Sequence, residues 1–343
     1  MIVTPATVAN ASQALRPAVV AAALAGLTLL LVLAGLSAGS QGWSLAWMQD
    51  AAEWELVAAI RAPRTMGALA VGALLGLAGA VSQGLFRNPL ADPYLLGSAA
   101  GAGLGVTLVL AASSGLGAVI GLATATMLQR LGLVTAAFGG AVLGVLLTLL
   151  LARGTGRPMV LLLAGVVVGI LMSALSEALM LVAPEALRGR QIFLLGTTAF
   201  LGWGGVVVLV GVGALVLPVA LRHARALDAL VLGEDSAASL GLNLGRVRAV
   251  LVLALAAATG AAVAQAGLVA FVGLVAPHIV RRLVLATHGP LLFLSAATGG
   301  VLLLAADVAA RSLLAPQELP VGLLTAVLGG VYLLVLLRRH GRW

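Results

Sequence analysis

Few residues in this chain could do chemistry. Its 343 residues hold 19 arginines, 11 acids and 4 histidines, with no lysine and no cysteine. The absence of cysteine excludes disulfides and thiolate metal sites. The absence of lysine excludes the Lys of a phosphate-cradling P-loop, so no such nucleotide site is expected here. His278 follows Pro277 in an apolar run. A lone histidine more often satisfies a local hydrogen bond than binds a metal, and no second His or carboxylate lies at metal spacing. Glu177 reads as the one acid well inside an apolar span. Such acids are functional candidates, proton relays included, but a solitary one is assigned here to a helix-packing hydrogen bond. Gly101, Gly103 and Gly105 imitate a nucleotide loop yet lie within an apolar run, where they are packing residues. No catalytic residue and no metal site is assigned.

The densest charge lies in residues 222–248, R-H-A-R-A-L-D-A-L-V-L-G-E-D-S-A-A-S-L-G-L-N-L-G-R-V-R. Four arginines, His223, Asp228, Glu234 and Asp235 keep this stretch out of lipid, although apolar runs of about membrane length flank it. Leu227, Leu230, Val231, Leu240 and Leu242 are spaced to give short helices an apolar face, with breaks at Gly233 and Gly241. A short amphipathic helix pair between two spans suits a partner on the membrane surface; the plainer alternative is a solvated loop.

The elements that must position these groups are membrane helices. The chain is 62% hydrophobic and 9% charged, with a mean hydropathy of +1.18, whereas soluble domains carry about 25% charged residues. The 44 glycines suit close helix packing in lipid, and the missing period-2 alternation argues against a β-barrel. Apolar runs predict spans at about 17–38, 65–82, 94–112, up to 152, 159–183, 200–221, 291–310 and 320–337. Residues 249–284, interrupted by Gly267, Gly273 and Pro277, must cross twice or fold back at depth. Residues 113–131 resist placement. The expected architecture is one all-α transmembrane domain over residues 1–343, with about ten helices and a short cytoplasmic helix pair.

Ten spans put both termini on one side. With the termini in the cytoplasm, Arg16, Arg87, Arg153, Arg157, Arg222, Arg225, Arg246, Arg248, Arg281 and Arg282 are cytoplasmic and Arg61, Arg64, Arg188, Arg190 and Arg311 are outside, as the positive-inside rule favours. Spanning topology therefore accounts for the net charge of +8 better than nucleic-acid binding does. Residues 70–84 and 253–267 echo one another weakly and would cross in opposite senses, as inverted repeats do. At 83–93, Q-G-L-F-R-N-P-L-A-D-P, Asn88 and Asp92 can cap the following helix, and Pro89 and Pro93 fix its start.

Five blocks in order resemble the FecCD-type permeases of ATP-binding-cassette importers: R-A-P-R (61–64), the 83–93 turn, L-G-E-D-S-A-A-S-L-G (232–241), F-V-G-L-V-A-P-H-I-V-R-R (271–282), and A-D-V-A-A-R…E-L-P-V-G (306–322). The resemblance runs from about residue 60 to the end. Two departures are visible, Ala62 in a motif that is commonly R-L-P-R and an added apolar stretch within 113–131.

The resemblance implies a permease subunit of a bacterial inner-membrane importer that works as a homodimer. Two separate ATPase subunits would bind ATP-Mg, and a periplasmic substrate-binding protein would deliver cargo; the chain itself would hold no cofactor. Leu232, Gly233, Glu234, Asp235, Leu240 and Gly241 would seat in the ATPase, with Leu240 and Leu242 as knobs and the two acids meeting basic groups. Arg61, Arg64 and Arg311 would dock acidic residues of the binding protein, where a planar guanidinium suits carboxylates; Arg188 and Arg190 are weaker candidates. Gly154, Thr155 and Gly156 would begin the cytoplasmic gate. The expected cargo is a bulky iron chelate, haem or a ferric siderophore, with cobalamin as the alternative. A proton-coupled transporter centred on Glu177, or a non-transporting membrane scaffold, are the readings outside this class.

Overall fold

The computed structural model describes residues 15–39, 42–113, 122–152 and 158–340. Chain order gives α1 (Pro17–Ser37), a two-residue hairpin β1 (Ala38–Gly39) and β2 (Gly42–Trp43), and α2 (Ala51–Leu56). A π-turn at Val57–Arg61 runs α2 into α3 (Ala62–Phe86). There follow α4 (Ser98–Ser113), α5 (Leu122–Leu151), α6 (Pro158–Val182), α7 (Leu187–Leu195) and α8 (Trp203–Arg222). The short pair α9 (Ala224–Val231) and α10 (Glu234–Ser239) precedes α11 (Leu244–Ala266), α12 (Val272–Leu283), α13 (His288–Ser312) and α14 (Val321–His340).

By length and composition, seven helices among the described residues can cross a bilayer: α1, the continuous α2–α3, α5, α6, α8, α11 and α13. The sequence predicts about ten spans; beyond these seven helices, α14 has 20 residues, while α4 and α12 are shorter. α4 starts late because a 3-10 turn at Pro93–Leu96 precedes it. α12 has 12 residues because the backbone ahead of it is unwound.

α3 is the centre of the bundle, and nearly every residue from Gly67 to Phe86 is buried. Small residues make this possible. A Cβ on Gly72 would run into the Gly299 carbonyl of α13, and one on Gly79 into the Gly273 carbonyl of α12. Backbones at that separation gain dispersion contacts that lipid tails cannot match. The outer helices are the reverse: Leu29, Leu30, Leu163, Ile170, Val207 and Leu215 stand exposed, as lipid-facing positions should.

The expected interruption of 249–284 is present. α11 stops at Gly267 (φ +68°), and α12 restarts after Phe271, which is also left-handed at φ +66°. Between them the Leu268 N–H donates to the Phe193 carbonyl at 3.0 Å, and Tyr94 Oη donates to the Val269 carbonyl at 3.3 Å. Unwound backbone is tolerated at depth where protein supplies such partners.

Candidate coupling and docking sites

Residues 222–248 fold as the sequence suggests, into two short helices. Gly233 (φ +109°) separates α9 from α10, and Gly241 (φ +80°) follows α10; both backbone conformations favour glycine. The faces divide less simply. Leu227 and Leu230 are buried in the main core, and Leu242 packs against it, so Leu242 is not an outward knob. Leu240 is 67% exposed, Leu232 71% and Val231 62%. These three form the apolar surface that the segment offers outward.

The inner side of the pair is wired to the bundle by charge. Asp228 Oδ1 accepts from the backbone N–H of His288 at 2.9 Å and from its Nδ1 at 2.7 Å. Since His288 opens α13, the carboxylate sits where a helix N-terminus favours negative charge. Glu234 Oε1 pairs with Arg248 of α11 at 2.9 Å and with Arg87, just past α3, at 3.4 Å. Glu234 is thus paired within the chain with its side chain 32% exposed, whereas Asp235 is more fully exposed in the first turn of α10. The pair thus contacts the adjacent ends of α3, α11 and α13 together.

The Arg87–Asp92 turn holds itself rigid. Arg87 is left-handed (φ 50°), Asn88 Oδ1 accepts from Leu90 N–H, and Asp92 Oδ1 caps the 3-10 turn by accepting from Tyr94 N–H at 2.8 Å. Burial raises the Asp92 carboxyl above its ordinary range, and the hydrogen bond from Tyr94 partly offsets this. Gly154, Thr155 and Gly156, the expected gate residues, lie outside the described residues.

At the other end of α3 the arginines expected to dock a partner are occupied. Arg64 is 7% exposed and Arg311 2%. Arg64 donates from Nε to Asp307 Oδ1 at 3.1 Å and from Nη1 to Glu318 Oε2 at 2.8 Å. Arg311 pairs with Asp307 Oδ2 and donates to the Gly35 carbonyl at 2.9 Å. Thr198 Oγ1 adds a third donor to Asp307 at 2.5 Å. Two cations and two carboxylates balance, as buried charge requires. Arg64 and Arg311 are thus engaged within the chain, and turning either fork outward to meet a partner would break that arginine's own contact with Asp307. Arg61 is also largely covered, near Glu53 at 3.6 Å and donating to the Leu36 carbonyl at 3.3 Å. Of the five arginines expected on the outer side, Arg188 is the exposed one.

Glu177 is not solitary, since Arg190 Nη2 donates to it at 2.6 Å and its side chain is 66% exposed. A fully buried acid in a spanning helix is Asp307, near the C-terminal end of α13. It sits four residues before Arg311, a helical spacing that brings opposite charges together; that spacing was the available signal. His278 packs edge-on against Tyr332 with centroids 5.8 Å apart, and among the described residues no three His, Asp or Glu cluster at metal distance.

With this geometry in view, comparison with known proteins is specific. The chain is 37% identical to the hemin transport system permease protein HmuU of Yersinia pestis, over 92% of this chain and 94% of that protein. It is 40% identical to the vitamin B12 import system permease protein BtuC of Escherichia coli O6:H1, over 93% and 94%. A solved ABC transporter assigned to the metal-chelate type, in an inward-facing conformation, superposes with a TM-score of 0.81 at 30% identity, over 92% of this chain and 98% of that one. Residues 18–339 match the FecCD transport family, and the chain belongs to that family of ABC importer permeases.

Proposed function

We propose that this chain is the membrane subunit through which an ATP-driven importer passes a bulky iron-containing chelate, haem or a ferric siderophore, into the cytoplasm. Two copies form the pathway, two ATPase subunits bind ATP-Mg beneath them, and a periplasmic binding protein delivers the cargo. The protein lies in a bacterial inner membrane with both termini cytoplasmic, the orientation favoured by its arginine distribution.

One observation carries the coupling part of this reading. The α9–α10 pair turns Val231, Leu232 and Leu240 outward while Asp228 and Glu234 bind it inward to three helices. An ATPase that grips the outer face moves those helices with it, and nucleotide acts through the difference in contacts between two states. The proton-coupled alternative finds little support, because Asp307 is neutralised by arginines and Glu177 is paired at an exposed edge.

The iron-chelate assignment rests on the hemin-permease relative and the metal-chelate-type structure, and the 40% identity to a vitamin B12 permease keeps cobalamin as the competing cargo. The test is reconstitution with the ATPase and binding protein, offering haem, a ferric siderophore and cobalamin separately. ATP-dependent uptake of an iron chelate, lost on disrupting residues 234–241, supports the proposal. Uptake of cobalamin alone overturns the cargo, and uptake that follows a proton gradient without ATP overturns the mechanism.

A further inference from the structure

A cavity of about 590 Å³ opens beside the coupling segment, between the turn after α3, the end of α9 and the α12–α13 junction. Its polar wall is basic. Arg281, in the last turn of α12, hydrogen-bonds Gln83 Oε1, while Gln83 Nε2 is held by the Leu274 carbonyl at 3.1 Å. Arg281 is partly buried, and no carboxylate lies at ion-pair distance from it among the described residues. Arg87, on the same wall, shares its one carboxylate, Glu234, with Arg248. His288 is also part of the lining, but its Nδ1 is bound to Asp228. A half-buried cation without a counter-charge is costly unless an anion arrives to compensate it.

The rest of the cavity indicates the kind of anion. Leu285 and Val231 line it and are 68% and 62% exposed, and Leu90 and Leu283 beside them are 49% and 40% exposed. A basic pocket with an apolar shoulder fits a ligand that has a phosphate at one end and hydrocarbon at the other. Basic pockets between helices at the cytoplasmic level recognise anionic headgroups in this way, and arginine binds phosphate with paired hydrogen bonds.

We propose that this cavity binds the headgroup of an anionic glycerophospholipid from the cytoplasmic leaflet, with Arg281 and Arg87 holding the phosphate and Leu285 receiving the start of the acyl chains. The leaflet rests on the orientation given above; the site itself does not. Because the lining comes from α9, the α3 turn and α12, a bound headgroup braces the coupling segment against the bundle.

The test uses the full chain in nanodiscs of phosphatidylcholine, alone or with one-fifth phosphatidylglycerol, with lipid retention on detergent release read by native mass spectrometry. Wild type retains phosphatidylglycerol selectively, and Arg281→Gln lowers that retention about fivefold, the expected scale for one arginine at the headgroup. Arg188→Gln, at an exposed arginine elsewhere, leaves it unchanged. Should Arg281→Gln fail to fold, Arg87→Gln at the exposed side of the cavity serves the same purpose and lowers retention similarly. Equal retention by wild type and the variant that folds overturns the site. A thermal shift produced equally by inorganic phosphate in pure phosphatidylcholine overturns the lipid in favour of a free anion. Neither readout requires transport, so a failed cargo assignment and a failed lipid site give different results.

Discussion

Asp228 of α9 holds the first residue of α13, His288, through both its backbone N–H and its ring Nδ1, at 2.9 and 2.7 Å. One carboxylate therefore caps a long helix from a different element and fixes the histidine tautomer, since an ionised acid requires Nδ1 to carry the proton. The coupling segment and the helix that packs along the central α3 cannot move independently while that contact holds.

Removing the contact should separate ATP hydrolysis from transport. Asp228→Ala is expected to destabilise the chain by about 1–2 kcal/mol, the scale for hydrogen bonds to a charged acceptor that is partly solvated. Uptake per ATP hydrolysed should fall several-fold, with ATPase binding retained. Asp228→Asn, which can still accept from one donor, should fall between. Measuring uptake and hydrolysis in the same vesicles decides the matter, and an unchanged ratio in Asp228→Ala would show that the link transmits nothing.

The Asp307 network makes an opposite prediction, structural and not functional. Asp307→Ala leaves Arg64 and Arg311 buried with only Glu318 between them. Breaking one side of a buried ion pair costs about 3–5 kcal/mol, so the variant should lose most of its thermal stability in detergent. Arg188→Glu, at an exposed position, should unfold nothing and instead weaken binding-protein association. If charge reversal at Arg64 left the melting temperature unchanged while abolishing docking, the arginine would be a partner contact after all.

Leu240 tests the outward face. It is exposed at the end of α10, so Leu240→Asp should cost the isolated chain less than about 0.5 kcal/mol. An apolar side chain seated centrally in a partner is worth upwards of about 2 kcal/mol there. ATPase co-purification should therefore weaken by at least tenfold with the melting curve unchanged. Retained assembly would move the contact elsewhere on the segment.

How much of this was legible in the sequence depended on which physical signal each residue carries. The breaks at Gly233, Gly241 and Gly267 were visible because glycine is selected where φ turns positive. The fates of Leu240 and Leu242 were not separable, because apolar periodicity marks an amphipathic face without saying which helix covers it. Arg64 and Arg311 lie at span ends, where charge can reach either solvent or a partner. Arg311 meets Asp307 on its own helix, but only the approach of α3 to α13, permitted by Gly72 and Gly299, brings Arg64 to the same carboxylate. Asp307 itself was overlooked because a single acid in an apolar run draws attention only when its partner is sought four residues on. The shortened α12 depends on backbone partners from α7 and Tyr94, distant in sequence and visible only after folding.

The cap at Asp92 yields a prediction with a definite sign. Burial raises this carboxyl above its unfolded value, with the Tyr94 N–H hydrogen bond only partly opposing that. The folded chain therefore holds the proton more tightly than the unfolded chain. The stability this supplies is present below the unfolded value and is lost as pH rises through the folded one. Asparagine can accept the same Tyr94 hydrogen bond without a charge to desolvate. Asp92→Asn should consequently match wild type in acid and equal or exceed it at neutral pH, removing this position's share of the pH dependence. Asp92→Ala loses the cap at every pH, by about 1 kcal/mol. Melting curves of the three proteins between pH 4 and pH 8 test this, and a neutral-pH loss in Asp92→Asn as large as in Asp92→Ala would mean that the ionised carboxylate, not the capping geometry, holds the turn.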